Sequence, residues 1–139
     1  MLTKNEQNII VQAIRDAESK TSGEIRVHIA RHCKGDALDC AVKAFNRLKM
    51  DKTRHRNGTL IYVAPEEKQL AVIGDIGINK IVPDDFWDHA VSTMLSFFKQ
   101  DKLTEGICEG IRQVGILLKQ YFPAEAQNIN ELPDDISFD

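Results

Sequence analysis

The chain has 139 residues, of which 42% are hydrophobic and 28% are charged, and its formal net charge is −3. This length and composition are typical of one globular domain with a buried core. A weakly acidic chain with scattered basic residues favours neither a nucleic acid nor an anionic membrane as a partner. No apolar run reaches the roughly 18 residues that a membrane-spanning helix needs, so no transmembrane span is predicted.

The amino-terminal segment 1–6 is polar and lacks the apolar stretch of a secretory signal, which predicts a cytoplasmic protein. The three cysteines are Cys33, Cys40 and Cys108. An odd number of cysteines in a chain without an export signal favours free thiols. The absence of a C-x-x-C pair argues against a zinc ribbon or a thioredoxin-type site.

The first part of the chain predicts a helix, a strand and a second helix. Thr3 and Glu6 have the spacing of a capping box, and apolar residues follow at helical spacing as far as a polar turn at 19–23. Segment 24–32 alternates between apolar and polar residues, which predicts a strand near a sheet edge with one face less well covered. Asp36 is the predicted N-cap of the second helix.

Two apolar runs, Leu60–Val63 and Leu70–Ile73, flank a short polar connector and predict a β-hairpin. Runs that are apolar at every position are typical of strands covered on both faces, so the hairpin is expected at the centre of the sheet. A strand–helix–strand unit forms a right-handed parallel crossover. The first two strands are therefore expected to be parallel, with the third antiparallel to them.

The later part of the chain predicts a loop at 77–83 and two more helices. Asp84 or Asp85 is the expected cap of the third helix, and the fourth helix runs from about Thr104 to Tyr121.

Gly106 and Gly110 lie four residues apart on the fourth helix and predict a close approach to another backbone. Residues 1–123 are predicted to form a single domain, and residues 124–139 an irregular tail in which 130–133 can dock on the domain. The predicted fold class is α/β: a three-layer α/β/α sandwich whose central mixed sheet contains the hairpin and carries helices on both faces.

Polar side chains collect at one end of the predicted sheet. Glu24 opens the first strand, Asn57 precedes the second and Asp75 follows the third, so the strand directions place all three at one rim. The loop to Asp84 and Asp85 leaves from the same rim. Hard cations such as calcium prefer carboxylate and amide oxygens. The sequence therefore predicts a divalent metal site formed by Glu24, Asn57, Asp75, Asp84 and Asp85.

A structural interpretation of the same residues stays open. Asp75 can stabilise a turn, Asp84 or Asp85 can cap a helix, and Glu24 can be a solvated strand end. Of the four histidines, only His55 is expected beside the rim. The chain lacks the motifs of a serine hydrolase, a P-loop, a zinc protease, an EF-hand and a dinucleotide site.

Several segments together resemble the TPM domain family, which is named for a thylakoid-lumen protein, a photosystem II repair protein and an acetylcholine-receptor modulator. The chain is most similar to its small soluble bacterial members. The resemblance implies an α/β/α sandwich with a mixed sheet, and calcium or another divalent cation at the loop rim. For plant members it also implies a weak acid phosphatase activity. The segments that carry the resemblance are 21–29, 56–64, 73–78, 86–87, 104–107, 122–123 and 130–133.

The resemblance transfers to particular residues. Asp75 matches the position between the family's glycines, and Asn57 matches the Asn of its Asn-Gly pair. Many members carry Asp where this chain has Arg56, which removes one possible ligand. Many members also carry a signal peptide and a membrane anchor, which are not expected here, so roles at a membrane do not transfer.

Three functions are compatible with these patterns. The favoured one is a calcium-binding, non-catalytic domain that supports an unidentified protein partner. The alternative is a weak metal-assisted acid phosphatase, in which a metal on Asp75 and Asp85 polarises the phosphoryl oxygen and Arg56 is the one rim arginine for phosphate. The third is a purely structural interaction domain, with the rim and the tail as its partner surface.

Overall fold

The structure is a computed structural model that describes residues 2–125 and 132–139. Within these residues no helix is both long enough and apolar enough to cross a bilayer. The elements in chain order are α1 (Lys4–Glu18), β1 (Glu24–Ile29), α2 (Ala37–Arg47), β2 (Gly58–Ala64), β3 (Gln69–Gly74), α3 (Ile76–Asn79), α4 (Asp88–Lys99), α5 (Leu103–Tyr121) and β4 (Ile136–Phe138).

The four strands form one mixed sheet with the order β3-β2-β1-β4. β1 is parallel to β2 and to β4, whereas β2 and β3 form the antiparallel hairpin. The predicted parallel crossover and the predicted hairpin are therefore confirmed. Every residue of β2 is buried, because its alternate side chains enter two separate cores on the two faces of the sheet.

Helices cover both faces of the sheet, which confirms the three-layer α/β/α sandwich. α1, α4 and α5 pack on one face through residues such as Ile14, Met94 and Ile111. α2 packs on the other face through Ala41 and Phe45. The two layers hold the sheet between them and leave its ends open to the connecting loops.

Local signals in the sequence explain where the long helices begin and how they pack. The Thr3 hydroxyl accepts from the Glu6 amide (3.1 Å) and the Glu6 carboxylate accepts from the Thr3 amide (2.9 Å), so the predicted capping box is confirmed. A Cβ atom on Gly106 would lie 2.8 Å from the Phe97 Cβ. α5 therefore packs closely on α4 at this glycine, but the nearest atoms belong to side chains and not to another backbone as predicted.

The position of the hairpin within the sheet was predicted incorrectly. β3 is an edge strand, and the interior strands are β2 and β1. β1 was expected near an edge because Glu24 and His28 alternate with apolar residues, yet both side chains are buried. Their burial is explained by polar contacts, because Glu24 accepts from the Leu132 amide and the His28 ring contacts Ser137 and Asp139.

The segment between β3 and α4 also differs from the prediction. Asp75 is the N-cap of a short helix, α3, that begins within one residue of the strand. α4 begins only at Asp88 and has Trp87 at its N-cap position, so neither Asp84 nor Asp85 caps it. The ring of Phe86 packs edge-on against those of Trp87 and Tyr121, which fixes this segment on the end of α5.

The tail was predicted to be irregular, but it contributes β4 to the sheet. Val27 pairs with Ile136 and Ile29 with Phe138 in parallel register. Leu132 is buried in the α2-side core, so the carboxyl half of the predicted docking segment does contact the domain. The amino half of that segment, residues 130 and 131, lies outside the described residues.

The expectation of three free thiols is wrong for two of them. Cys33 and Cys40 form a disulfide that ties the loop after β1 to the first turn of α2, whereas Cys108 is free. The sequence spacing gave no sign of this bond, because only the turn at Gly35, with its φ of 99°, brings the two Cα atoms to 6.1 Å. Disulfides are typical of oxidising compartments, and the cytoplasmic location stays a prediction.

We expect the Cys33–Cys40 disulfide to stabilise the native state by about 2 kcal/mol, because it closes a short loop in the unfolded chain. The measurement is urea unfolding of the Cys33→Ser/Cys40→Ser variant beside the oxidised parent chain. Cys108→Ser keeps the disulfide and is the matched control: it should lose stability on reduction as the parent does, whereas the double variant should show no response to reductant. Equal stability of the double variant and the parent would contradict the expectation.

Candidate functional site

The strand register brings Glu24, Asn57 and Asp75 to one end of the sheet, as the topology predicts. Glu24 pairs with Gly58 at the starts of β1 and β2, and Thr59 pairs with Gly74 at the end of β3. We call the surface formed by Glu24, Asn57 and Asp75 the rim. All three rim residues are at least 96% buried. The rim therefore consists of buried polar side chains and not of solvated strand ends.

Glu24 and Asn57 hold the two chain segments that cross this end of the sheet. Both carboxylate oxygens of Glu24 accept from the Leu132 amide, at 3.1 and 2.8 Å. The Asn57 carbonyl accepts from the Glu24 amide, and the Asn57 side-chain Nδ2 donates to the Ser22 carbonyl, each at 3.3 Å. Glu24 thus fastens the returning tail, and Asn57 fastens the turn that follows α1.

Asp75 is occupied by an ion pair with Arg56. The guanidinium donates from Nε to Oδ2 (2.7 Å) and from Nη2 to Oδ1 (3.0 Å), and Oδ1 also accepts from the Ile76 amide (2.7 Å). Bidentate pairs of this kind are strong and geometrically exact. Hydrogen bonding to Asp75 raises the pKa of Arg56. Arg56, which stands where many family members carry an Asp ligand, therefore neutralises Asp75, one of the predicted ligands.

The backbone around this pair is tightly packed. Arg56 has a φ of 50°, a left-handed conformation that is uncommon for a residue with a side chain, and its carbonyl accepts from the Gly77 amide at 2.9 Å. A Cβ atom on Gly77 would lie within 2.5 Å of the Arg56 carbonyl oxygen. The second glycine of Gly74-Asp75-Ile76-Gly77 is thus required by close contact between two backbone segments.

Asp84 and Asp85 are exposed and lie in the loop between α3 and α4. Neither carboxylate has a hydrogen bond or an ion pair with the other residues that the structure describes. The structure thus brings together three of the five predicted ligands and links no described partner to the other two. Whether the five bind a metal stays a prediction.

Two carboxylates that the sequence analysis missed lie beside Glu24. Glu18, the last residue of α1, accepts from the Ile25 amide (2.7 Å) and shares a hydrogen bond with Asp134. Burial, the bond with Asp134 and the charges of Asp134 and Glu24 raise the pKa of Glu18 to about 10. Arg15 is the cation facing them, with its Nε 3.6 Å from Asp134. We call Glu18, Glu24 and Asp134 the acidic cluster.

A divalent cation can be tested against these groups. Hard cations take carboxylate oxygens, and the acidic cluster supplies three carboxylates at the end of the sheet, so the donor chemistry fits calcium. The arrangement does not yet converge: within residues 2–125 and 132–139, no three His, Cys, Asp or Glu side chains are placed to hold one metal ion. A cation in the cluster therefore requires side-chain movement.

The remaining predicted contributors to chemistry at the rim are engaged elsewhere. His55 Nε2 lies 3.1 Å from the Glu125 carboxylate, which also accepts from Arg54. Arg56, the one rim arginine considered for phosphate, donates to Asp75. The weak acid phosphatase activity implied by the resemblance stays a prediction.

A second buried polar network lies on β1, away from the rim. The His28 ring, 1% exposed as a residue, contacts the Ser137 hydroxyl through Nδ1 (2.7 Å) and the Asp139 carboxylate through Nε2, and it stacks on Tyr62. Burial lowers the pKa of His28, although Asp139 opposes this shift. The network fastens β4 to the sheet, and it was missed because the tail carries no strand pattern.

Comparison with known proteins decides the family. A sequence model described as "TPM domain" matches residues 1–116 of the chain. The chain belongs to the TPM domain family. This TPM domain is 47% identical to the BA42 protein of the psychrophilic bacterium Bizionia argentinensis, whose solution structure superposes with a TM-score of 0.93 over 100% of this chain and 96% of that one.

Two more distant structures share the fold of this TPM domain. The N-terminal domain of a protein from P. gingivalis is 15% identical, with a TM-score of 0.71 over 91% of this chain and 83% of that one. The N-terminal domain of the cg2496 protein from Corynebacterium glutamicum is 17% identical, with a TM-score of 0.68 over 94% and 82%. No curated protein matched the chain.

We expect Gly77→Ala to destabilise the TPM domain by about 1–3 kcal/mol, because the added methyl group forces apart the backbones of α3 and residue 56. Urea unfolding measures the loss. Lys80→Ala, one turn later and exposed, is the control and should stay within about 0.5 kcal/mol of the parent. A Gly77→Ala variant as stable as Lys80→Ala would show that the rim backbone is not tightly packed.

We expect Glu18→Gln to stabilise the TPM domain at neutral and alkaline pH. The folded-state pKa of Glu18 is raised, so the folded chain retains a proton that the unfolded chain loses above its pKa of about 4.5. Unfolding free energy therefore falls as the pH rises from about 4.5 towards 10. Glutamine needs no proton, and since Glu18 is partly exposed we expect a gain of about 1–2 kcal/mol at pH 7.

The measurement is urea unfolding of both proteins at pH 4.5, 7 and 8.5. The difference between them should shrink towards zero at the lowest pH and grow at the highest. A constant difference at all three values, or a loss of stability at pH 8.5, would contradict the assignment of a retained proton to Glu18.

Proposed function

We propose that this TPM domain is a non-catalytic calcium-binding module whose cation site is the acidic cluster. Glu24 belongs to both the acidic cluster and the rim. The observation that carries the proposal is that three carboxyl groups, those of Glu18, Glu24 and Asp134, lie near one another at one end of the sheet. The Arg15 side chain lies beside Asp134. Burial and the charges of Asp134 and Glu24 make a third negative charge unfavourable, so Glu18 keeps a proton, and a divalent cation would take the place of that proton.

The positions of the three carboxylates support a cation that links separate parts of the chain. Glu18 ends α1, Glu24 begins β1, and Asp134 precedes β4. A cation bound by all three would join the first helix, the sheet and the returning tail. Its binding energy would then add to the contact between Glu24 and the Leu132 amide. Such a site serves the stability and shape of the domain, which suits a module that supports a partner.

The proposal keeps Glu24 from the set predicted by sequence and replaces Asp75. Both Asp75 oxygens accept from Arg56, and one also accepts from Ile76, so a cation there would have to displace a bidentate pair whose carboxylate is buried. Asp84 and Asp85 are exposed, and a role for them would require their loop to move onto the rim.

The test is isothermal titration of calcium into the full chain and into matched variants. We expect saturable binding by the parent chain, and an affinity that falls about tenfold or more in Glu18→Gln and Glu24→Gln, because each removes a carboxylate ligand that is ionised when the cation is bound. Asp39→Asn on the exposed face of α2 is the matched control and should bind like the parent. A parallel melting series should show a rise in melting temperature with calcium, by mass action.

Each result decides between sites. An unchanged affinity in Glu18→Gln together with a loss in Asp75→Asn or Asp84→Asn/Asp85→Asn would move the cation from the acidic cluster to the predicted rim set. No heat and no melting shift at millimolar calcium would overturn calcium binding altogether. A loss in Asp39→Asn equal to that in Glu18→Gln would reduce the effect to net charge.

A further inference from the structure

A disulfide and two polar side chains meet at the end of the sheet opposite the rim. β1 ends at Ile29, and the loop that follows it contacts the turn between β2 and β3. Cys33 in this loop is bonded to Cys40 in the first turn of α2. We call His32, Cys33, Cys40 and the turn residue Glu67 the cysteine cluster.

The four members of the cysteine cluster contact one another in a continuous chain. One oxygen of the Glu67 carboxylate, Oε2, lies 3.1 Å from His32 Nδ1, and the other, Oε1, accepts from the Cys33 amide at 3.3 Å. The Cys33 sulfur continues the chain to Cys40. A carboxylate bonded to Nδ1 leaves Nε2 of the same ring for a ligand, and zinc-bound histidines are commonly oriented in this way. The His32 side chain is 60% exposed, so the ring has room to turn towards the sulfur atoms.

The disulfide withdraws both sulfur atoms from metal binding. While it is intact, no three His, Cys, Asp or Glu side chains within residues 2–125 and 132–139 are placed to hold one ion. The Cα atoms of the two cysteines are 6.1 Å apart. Two thiolates on a tetrahedral zinc ion lie about 3.8 Å apart, since each Zn–S bond is about 2.3 Å. After reduction, rotation about the two Cα–Cβ bonds provides that separation with the backbone in place.

The charges around the cysteine cluster favour a divalent cation once the thiols ionise. Segment 31–43 contains three cationic side chains and two carboxylates, and Glu67 is a third carboxylate. These charges cancel, so two thiolates leave a net charge of −2, which one zinc ion neutralises. Cys40 lies in the first turn of α2, and a position at a helix N-terminus favours the thiolate form.

We propose that the Cys33–Cys40 disulfide is a redox-controlled zinc site, in which reduction frees two thiolates that bind a zinc ion together with His32 Nε2. Glu67 is the positioning residue that holds the His32 ring. Two thiolates and an imidazole are donors that zinc prefers, whereas calcium takes oxygen ligands. The site lies at the other end of the sheet from the acidic cluster and is independent of it.

The chemistry requires an external dithiol as the reductant. A thiolate of the dithiol attacks the sulfur of Cys40, the more exposed of the two cysteines, and Cys33 leaves as a thiolate. The second thiol of the reductant then displaces Cys40 and closes the reductant's own disulfide, so two electrons pass to the protein. Zinc binds the deprotonated sulfur atoms, so the reduced dithiol form releases two protons when the ion enters.

Cobalt(II) substitution tests the proposal, because a thiolate bound to cobalt gives a charge-transfer absorption band that a carboxylate does not give. The full chain is reduced with a phosphine and titrated with cobalt under argon. We expect a band that saturates at about one equivalent of cobalt and disappears when zinc displaces the cobalt. Excess calcium should leave the band intact, and the oxidised chain should show no band.

Cysteine variants identify the sulfur ligands. Cys33→Ser/Cys40→Ser lacks the disulfide, as the reduced parent chain does, and should give no band. Cys108→Ser keeps both proposed thiolates and should behave like the parent chain. Zinc should raise the melting temperature of the reduced parent chain more than that of the double variant, because binding stabilises the native state by mass action.

Polar variants test the third ligand and its orientation. His32→Gln and Glu67→Gln should each weaken zinc binding by the reduced chain about tenfold or more, measured by competition with a chromophoric chelator. The first lacks a ligand, and the second lacks the carboxylate that orients it. His89→Gln changes an exposed histidine on α4 and is the matched control, which should bind zinc like the parent chain.

Four outcomes would overturn the proposal. The reduced parent chain gives no charge-transfer band, or the band persists in Cys33→Ser/Cys40→Ser, which would assign it to Cys108. An oxidised chain that binds zinc as tightly as the reduced chain would show that the two thiolates are not ligands. Equal zinc affinities of His32→Gln and His89→Gln would remove His32 from the site.

Discussion

The parallel pairing of β1 with β2 is the constraint on which the rest of the structure depends. Because the two strands start at the same end of the sheet, Glu24 lies beside Gly58, and the antiparallel return of β3 brings Asp75 back to the same end. The crossover through α2 covers one face of the sheet, while α1 and α5 are left to cover the other. Buried polar groups at this end then require partners, and segments distant in sequence supply them, such as Leu132 for Glu24 and Ser22 for Asn57.

The charged groups at this end of the sheet are of two kinds, an ion pair and a group of carboxyl groups. The Asp75–Arg56 pair is neutral overall, and the buried Asp75 carboxylate accepts three hydrogen bonds that hold together the backbone around residue 56 and the start of α3. The acidic cluster is different, because Glu18 stays neutral only by keeping a proton well above its usual pKa. One end of the sheet therefore contains the Asp75–Arg56 ion pair and, beside it, the acidic cluster for which we propose a cation.

Much of the fold could be predicted because it depends on local pattern. Three features were visible in short stretches of sequence: the Thr3–Glu6 capping box, the apolar runs of β2 and β3, and the glycine at position 106. Strand direction followed from the handedness of the crossover, and it placed Glu24, Asn57 and Asp75 correctly. The hydrogen-bond partners could not be predicted in the same way. Arg56 was noted only as a replacement for an Asp ligand, whereas it pairs with Asp75.

What could not be predicted depends on contacts between distant segments. Glu18 looked like an ordinary residue at a helix end, although the short turn after α1 was a signal that it would lie beside Glu24. Nothing in the sequence indicated β4 or the position of Asp134, because a three-residue strand is too short to show alternation of apolar and polar residues. The same distance in sequence hid the burial of His28, whose partners are more than a hundred residues away.

β4 has a consequence for how this chain behaves in a crowded solution. Without it, β1 would present unpaired amide and carbonyl groups along one side of the sheet, and such an exposed edge is a template for pairing with another chain. Three residues, Ile136–Phe138, cover the apolar end of that edge, and the His28 network holds them there. They lie beyond the residues that the family model matches. β4 thus closes part of an edge at which another chain could otherwise pair.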